Sequence, residues 1–373
     1  MSETLHIQEK SFFKKLDGNF TLVILALNLI GLINLYSATH GVHLTSSTRL
    51  FTQQIVWLTG GWAIYFIVTF LKYQFFQRAA YVLYWLNVVA LALVMVFGKS
   101  FYGAQRWLDL GFFHYQPSET MKLMTIIVLA KILSKKTRSD GLGFSDLLLP
   151  GIYVAIPFVL TVKQPDLGTA MLIAMIAFAM IFFVRIKRSI LIFCTLAAVI
   201  AAPLVWSFGL KPYQKGRILT FLTPGRDPRG AGYNSIQSKI AVGSGRVLGK
   251  GFRKGTQSQL EFLPERHTDF IFSVLSEEHG FIGSATTIGL FLILYLMGVR
   301  IASQAKDRFA SLIVIGVLSL LFFHVFINIG MVIGILPIVG VPLPLLSYGG
   351  TSMLTTMAGV GLISSVAYRR YLF

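Results

Sequence analysis

Glu261-Phe-Leu-Pro-Glu-Arg-His-Thr-Asp269, running straight into Phe270-Ile-Phe-Ser-Val-Leu275, marks the point where a polar segment meets a long apolar run. Upstream, from Leu210, the chain is rich in glycine and basic side chains. Downstream it is apolar for about the length that crosses a bilayer, which takes roughly 20 residues. A carboxylate therefore stands where a water-exposed loop enters a membrane helix. The rest of the 373-residue chain repeats the apolar theme: 55% of residues are hydrophobic and 13% charged, where a soluble domain carries about 25% charged. The runs are continuous and do not alternate in period two, so they read as helices and not as barrel strands.

About ten such runs are legible, near 20–38, 54–71, 79–97, 118–134, 146–162, 168–185, 189–208, 270–299, 309–333 and 351–368. This is an all-α polytopic membrane protein, read as a single integral membrane domain over 1–373. A polar N-terminal segment, 1–19, precedes a retained signal anchor, and a large loop over 209–269 separates the seventh and eighth runs. Basic clusters fall on alternate connections: Lys10, Lys14 and Lys15; Lys131, Lys135 and Lys136; Arg185, Lys187 and Arg188; Arg300, Lys306 and Arg308. The short connections on the other side hold only Arg49, Lys99, Arg106 and Lys163. The positive-inside rule then puts both termini in the cytoplasm and the 209–269 loop outside. The net charge of +18 is read as topology and contact with anionic membrane lipid, and no nucleic-acid module is present. Cys194 stands alone and reads as packing. The scattered histidines form no metal-binding spacing, so neither a metal site nor a resident cofactor is expected; the need for a divalent cation cannot be read.

Asp269 fits two roles. It or Thr268 could cap the eighth helix, or it could act as a general base, since ionisable groups at membrane depth are costly and usually functional. Glu277 and Glu278 either line a cavity or bind polar groups on neighbouring helices. In the stretch Gly243-Ser-Gly-Arg246-Val-Leu-Gly-Lys250-Gly-Phe-Arg253-Lys254-Gly255, glycines bring backbone N–H groups close to an anion and the cations supply charge. It reads as a pyrophosphate cradle or as a loop resting on headgroups. Arg106-Trp107 offers a cation beside an aromatic ring, either an interfacial anchor or a sugar platform. Glu119 and Lys122 share one face of the fourth helix, with Lys122 inside an apolar run. Gln164-Pro-Asp166-Leu-Gly168 is a tight turn, and Pro337–Gly350 is apolar yet too broken for one helix, which suggests a re-entrant wall.

Taken together, Gly103–Gly111, Gln116–Glu119, Gln164–Thr169, Gly255–Phe272 and Val341–Gly350 resemble the SEDS family (shape, elongation, division and sporulation). The wording at 103–111 and 255–266 is closer to its elongation branch than to its division branch. The resemblance implies a peptidoglycan glycosyltransferase that polymerises lipid II into glycan strands outside the bacterial cytoplasmic (inner) membrane. It implies Asp269 as the essential aspartate and Trp107 as a functional aromatic, with Arg106, Glu119, Lys122 and Asp166 in a polar cavity. Arg246, Lys250, Arg253 and Lys254 would compensate the charge of an undecaprenyl-pyrophosphate-linked glycan, and the implied partner is a class B penicillin-binding transpeptidase. The rival readings are a lipid II flippase, which the broken helix also fits, and a non-catalytic scaffold for the transpeptidase.

Overall fold

The computed structural model describes residues 17–40, 47–101, 104–109, 111, 113–136, 141–209, 212–223, 231–260 and 262–370. The N-terminal segment 1–16 and the loop residues Arg226 and Arg229 lie outside the described residues. Ten helices cover the ten apolar runs: α1 (Gly18–Thr39), α2 (Ser47–Phe70), α3 (Tyr73–Phe97), α4 (Pro117–Ser134), α5 (Phe144–Lys163), α6 (Leu167–Phe183), α7 (Arg188–Leu204), then α11 (Ile271–Ser303), α12 (Arg308–Ile333) and α13 (Gly350–Arg369). Six of them, α1, α3, α5, α11, α12 and α13, are long and apolar enough to cross a membrane.

The buried helices explain the architecture. Helix α4 starts with Pro117 in its first turn and is enclosed on nearly every face by α3, α5, α6, α12 and α13. Helices α12 and α13 are also largely enclosed. Helices α3, α5 and α7 instead turn Leu86, Val96, Leu148, Ile152, Val199 and Ile200 outward, the pattern of a surface solvated by lipid. Three features mark the end of the bundle where the chain begins and finishes. Asp17 pairs with Arg370 at 2.9 Å. The Tyr73 hydroxyl donates to Asp307 at 2.6 Å. Arg369 donates to the carbonyls of Thr69 and Phe70. Helix α11 finishes there, so its start, Asp269 before it, and the α3–α4 connection all lie at the opposite end.

Two connections carry secondary structure of their own. The α3–α4 connection is a small antiparallel sheet of β1 (Lys99–Phe101), β2 (Ala104–Asp109) and β3 (His114–Tyr115). Among its described residues the 209–269 segment holds three helices, α8 (Pro212–Leu222), α9 (Ala231–Ser244) and α10 (Thr256–Gln259). Of these, α9 packs on α11 and α12.

Candidate active site

Asp269 sits in the turn that leads into α11. Phe270 is the N-cap and makes no side-chain cap bond, so the capping role open to Thr268 and Asp269 is not taken up. Thr268 instead donates back to Glu265. Among the described residues no donor hydrogen-bonds the Asp269 carboxylate and no cation sits in salt-bridge contact with it. Its wall is Gly340, at φ +79°, where an added Cβ would stand 3.3 Å from Oδ2. Burial, reinforced by the charge of Glu265, pushes Asp269 up to about 7 against the opposing Arg217 and Arg106. Arg217, on α8, donates weakly to the carbonyls of Ile338 (3.4 Å) and Val339 (3.3 Å), next to that wall. An acid that titrates near neutrality, keeps some exposure and has no fixed partner is able to take a proton.

Arg106, on β2, extends to the α5–α6 turn. One guanidinium nitrogen lies 3.6 Å from Asp166 and the other donates to the Pro165 carbonyl. Asp166 caps α6 through Thr169 and accepts from Gln116 at 3.3 Å. Turn chemistry and site chemistry therefore coincide in one residue. Trp107 is half-buried on the same strand.

A second charged group lies inside the bundle. The Lys122 ammonium touches Glu119 at 2.8 Å and His324 Nε2 at 2.8 Å. His324 Nδ1 lies 3.2 Å from the Pro342 carbonyl; donating there leaves Nε2 as the acceptor that an ammonium requires. Lys122 is 1% exposed. Lys122→Met therefore strands a buried Glu119 and is expected to cost about 3–5 kcal/mol, read as a fall in the thermal midpoint in detergent. Adding Glu119→Gln should restore part of it.

The broken segment after α12, expected to be re-entrant, is irregular and mostly enclosed. It is stitched to the Asp269 turn: Ser347 Oγ donates to the Thr268 carbonyl at 2.7 Å and Tyr348 N to the His267 carbonyl at 3.0 Å. Non-helical backbone at this depth is tolerated because these partners satisfy it.

Much of the backbone of 243–255, one reading of which is a pyrophosphate cradle, is committed to α11. Helix α11 breaks at Gly280 (φ 62°, ψ −156°), and the glycine loop fills the break. The N–H groups of Lys250 and Gly251 donate to the carbonyls of Glu277 and Glu278, while Phe281 and Ile282 donate to those of Arg246 and Val247. The glycines serve this close backbone approach, and the amides that were to meet an anion are already bonded. Lys250 Nζ pairs with Glu277 at 2.7 Å, and Glu277 also accepts from the amides of Gln257 and Ser258. Ser37 donates to Glu278 at 2.6 Å. Both glutamates thus bind polar groups on neighbouring elements. Arg253 donates to the His40 carbonyl at 2.9 Å; Arg246 and Lys254 are exposed.

The structure adds three residues that the sequence reading did not select: Arg217, His324 and Asn328. The last two interrupt an otherwise apolar run, the signal that could have found them. Among the described residues, no group of three or more His, Cys, Asp or Glu is placed to hold a metal ion.

The fold and site define a polytopic helical membrane protein with a group of ionisable side chains at the end away from its termini. The FTSW_RODA_SPOVE family, described as "Cell cycle protein", matches residues 18–372, and the chain belongs to it. It is 38% identical over 364 residues to peptidoglycan glycosyltransferase MrdB of Escherichia coli (strain K12), covering 97% of this chain and 96% of that one. It is 33% identical to peptidoglycan glycosyltransferase RodA of Treponema pallidum (strain Nichols), covering 95% and 98%. Among solved structures, a chain from work on structural coordination of polymerization and crosslinking by a peptidoglycan synthase complex matches with TM-score 0.81 and 31% identity, over 96% of this chain and 99% of that one. RodA of Thermus thermophilus matches with TM-score 0.71 and 28% identity, over 95% and 98%.

Proposed function

We propose that this protein is a peptidoglycan glycosyltransferase that polymerises lipid II into glycan strands for cell elongation, with Asp269 as general base. The observation that carries the reading is the Asp269 carboxylate, which has no hydrogen-bond or ion-pair partner among the described residues and is pushed up to about 7 by burial, within the field of Arg106 and Arg217. Near full-length similarity to enzymes of that name supports it. The acceptor is the 4-hydroxyl of a GlcNAc on lipid II. Its oxygen bonds to the anomeric carbon of the strand's terminal MurNAc as the bond to the diphosphate oxygen breaks. The hydroxyl proton passes to Asp269 and the electron pair leaves with undecaprenyl pyrophosphate. An α-linked donor giving a β-linked product needs one inversion and no covalent intermediate. Arg106 and Arg217 face the developing diphosphate charge, Trp107 offers a stacking face, Asp166 orients Arg106, and the Glu119–Lys122 pair lines the deeper part of the site.

The protein is read as one membrane domain of ten crossings with both termini in the cytoplasm. The basic ends gathered around Asp17 and Arg370 support that orientation, and the site then opens outside the cytoplasmic membrane. The partner is a class B penicillin-binding transpeptidase, which the likeness to a synthase-complex chain supports. No resident cofactor enters the reading.

Purified protein supplied with lipid II, with and without the transpeptidase, should lengthen glycan strands on a gel; transfer of lipid II between leaflets without polymer would favour the flippase. The same assay gives a pH test. The base works deprotonated, so kcat/KM should rise with pH through about 7. Full activity well into the ordinary carboxylate range would remove Asp269 from that role.

A further inference from the structure

Helix α12 carries two buried polar residues one turn apart, His324 and Asn328. At four residues' spacing they lie on one helix face, and both bond adjacent carbonyls of the broken segment. His324 Nδ1 lies 3.2 Å from Pro342 O, and Asn328 Nδ2 lies 2.7 Å from Val341 O. Each then reaches a different part of the site. His324 Nε2 meets the Lys122 ammonium at 2.8 Å. The second hydrogen of Asn328 Nδ2 goes to the backbone carbonyl of Asp269, at 2.8 Å. One amide thus ties the backbone that carries the carboxylate to the backbone one residue from Gly340, the wall that the carboxylate faces.

We infer that Asn328, aided by His324 one turn earlier, is a positioning residue that sets Asp269 against the Gly340 wall and at a fixed place relative to Lys122. The inference rests on Asp269 being the base. Both residues project from the buried face of a helix that is largely enclosed, so the reference frame is rigid. The turn and the broken segment have no regular ladder; Ser347 and Tyr348 join them at Thr268 and His267, and Asn328 makes the tie at the Asp269 peptide itself. A misplacement of about 1 Å at a reacting group costs on the order of 10²-fold in rate, so a single amide that fixes both sides of the gap has leverage on turnover. Without it, the Asp269 turn can relax toward solvent.

The test compares the parent, Asn328→Ala, Asn328→Ser, His324→Leu and Asp269→Asn in the lipid II polymerisation assay, each normalised to monodisperse protein. Asn328→Ala should lose at least about tenfold in kcat, with KM unchanged within error. It should also move the acid limb of the pH–rate profile to lower pH. The sign follows from burial, which raises Asp269; a carboxylate freed toward water titrates lower. The charged groups that bear on it are Glu265 on its own turn, Arg106 on β2 and Arg217 on α8, and none of them is substituted in the variant. His324→Leu should lower kcat with a smaller shift in the limb. A purely structural role lowers the yield of folded protein and leaves kcat per folded molecule and the limb where they were; that result overturns the inference, as does a loss confined to KM. If Asn328→Ala gives no monodisperse protein, Asn328→Ser is judged by the same two readouts. An active Asp269→Asn overturns the base reading itself. An inactive Asp269→Asn beside Asn328 variants with the parental limb overturns only the positioning role.

Discussion

Asp269→Asn is expected to reduce strand synthesis by about 10²–10⁴-fold, the usual contribution of a placed general base, while membrane insertion and the thermal midpoint are kept or improved. Asn matches Asp in size and still fits against Gly340, so packing is unchanged, but it cannot accept the acceptor hydroxyl's proton at neutral pH. The stability arm has a definite sign. Burial lifts this acid from 3.8 to about 7 in the folded protein, so folding holds the proton more tightly. The stability that this gives is complete below the unfolded value and is lost as pH rises through the folded one. Above pH 7 the parent carries a charge in a place that resists it, and Asn does not, a difference on the order of a few kcal/mol. Melting in detergent should therefore show the variant above the parent at pH 8, with the gap closing as pH falls toward 4. Ordinary turnover by the variant would end the base assignment. A lower midpoint at pH 8 would instead mean that the carboxylate is held by a structural partner.

Two glycines in one loop should respond in opposite directions, the second large effect. Gly249, at φ +81°, lies where an added Cβ would run into the Glu278 carbonyl. Gly249→Val must either unseat the loop from the break in α11 or force a β-branched residue into the left-handed region. Both routes strand the carbonyls and amides that now pair across the break, and an unpaired buried backbone group costs about 1–3 kcal/mol. Loss of several kcal/mol follows, seen as low monodisperse yield. Gly243 is six residues earlier, in the last turn of α9, with nothing within 4 Å of an added Cβ. Gly243→Ala there should gain up to about 1 kcal/mol from helix propensity. If both substitutions were neutral, the loop would not be spliced into the helix at all, and the anion cradle would return as the account of its glycines.

What could be read from the sequence follows from how strong each signal is against its surroundings. An apolar run of bilayer length admits one structure, because a backbone without water must satisfy itself; hence the runs appear as helices, six of them long and apolar enough to cross a membrane. Asp269 was legible because the acid that stands directly at a polar–apolar junction is conspicuous, and Lys122 because a cation inside an apolar helix is costly. The glycine loop was ambiguous for a physical reason: bare backbone suits an anion and a broken helix equally, and only the partner decides. That partner, the Glu277–Ile282 stretch, is close in sequence but carries no sign of its break beyond Gly280.

Hydropathy and charge by themselves set the helical membrane class and single out Asp269 at a polar–apolar junction, since transfer free energies are local properties of a segment. The tertiary structure decided which polar groups share a site. Asn328 reaches both Asp269 and Val341, His324 reaches Lys122, and Arg217 comes in from a separate helix. Such pairings depend on how helices dock, and docking is fixed by packing among residues far apart in the chain.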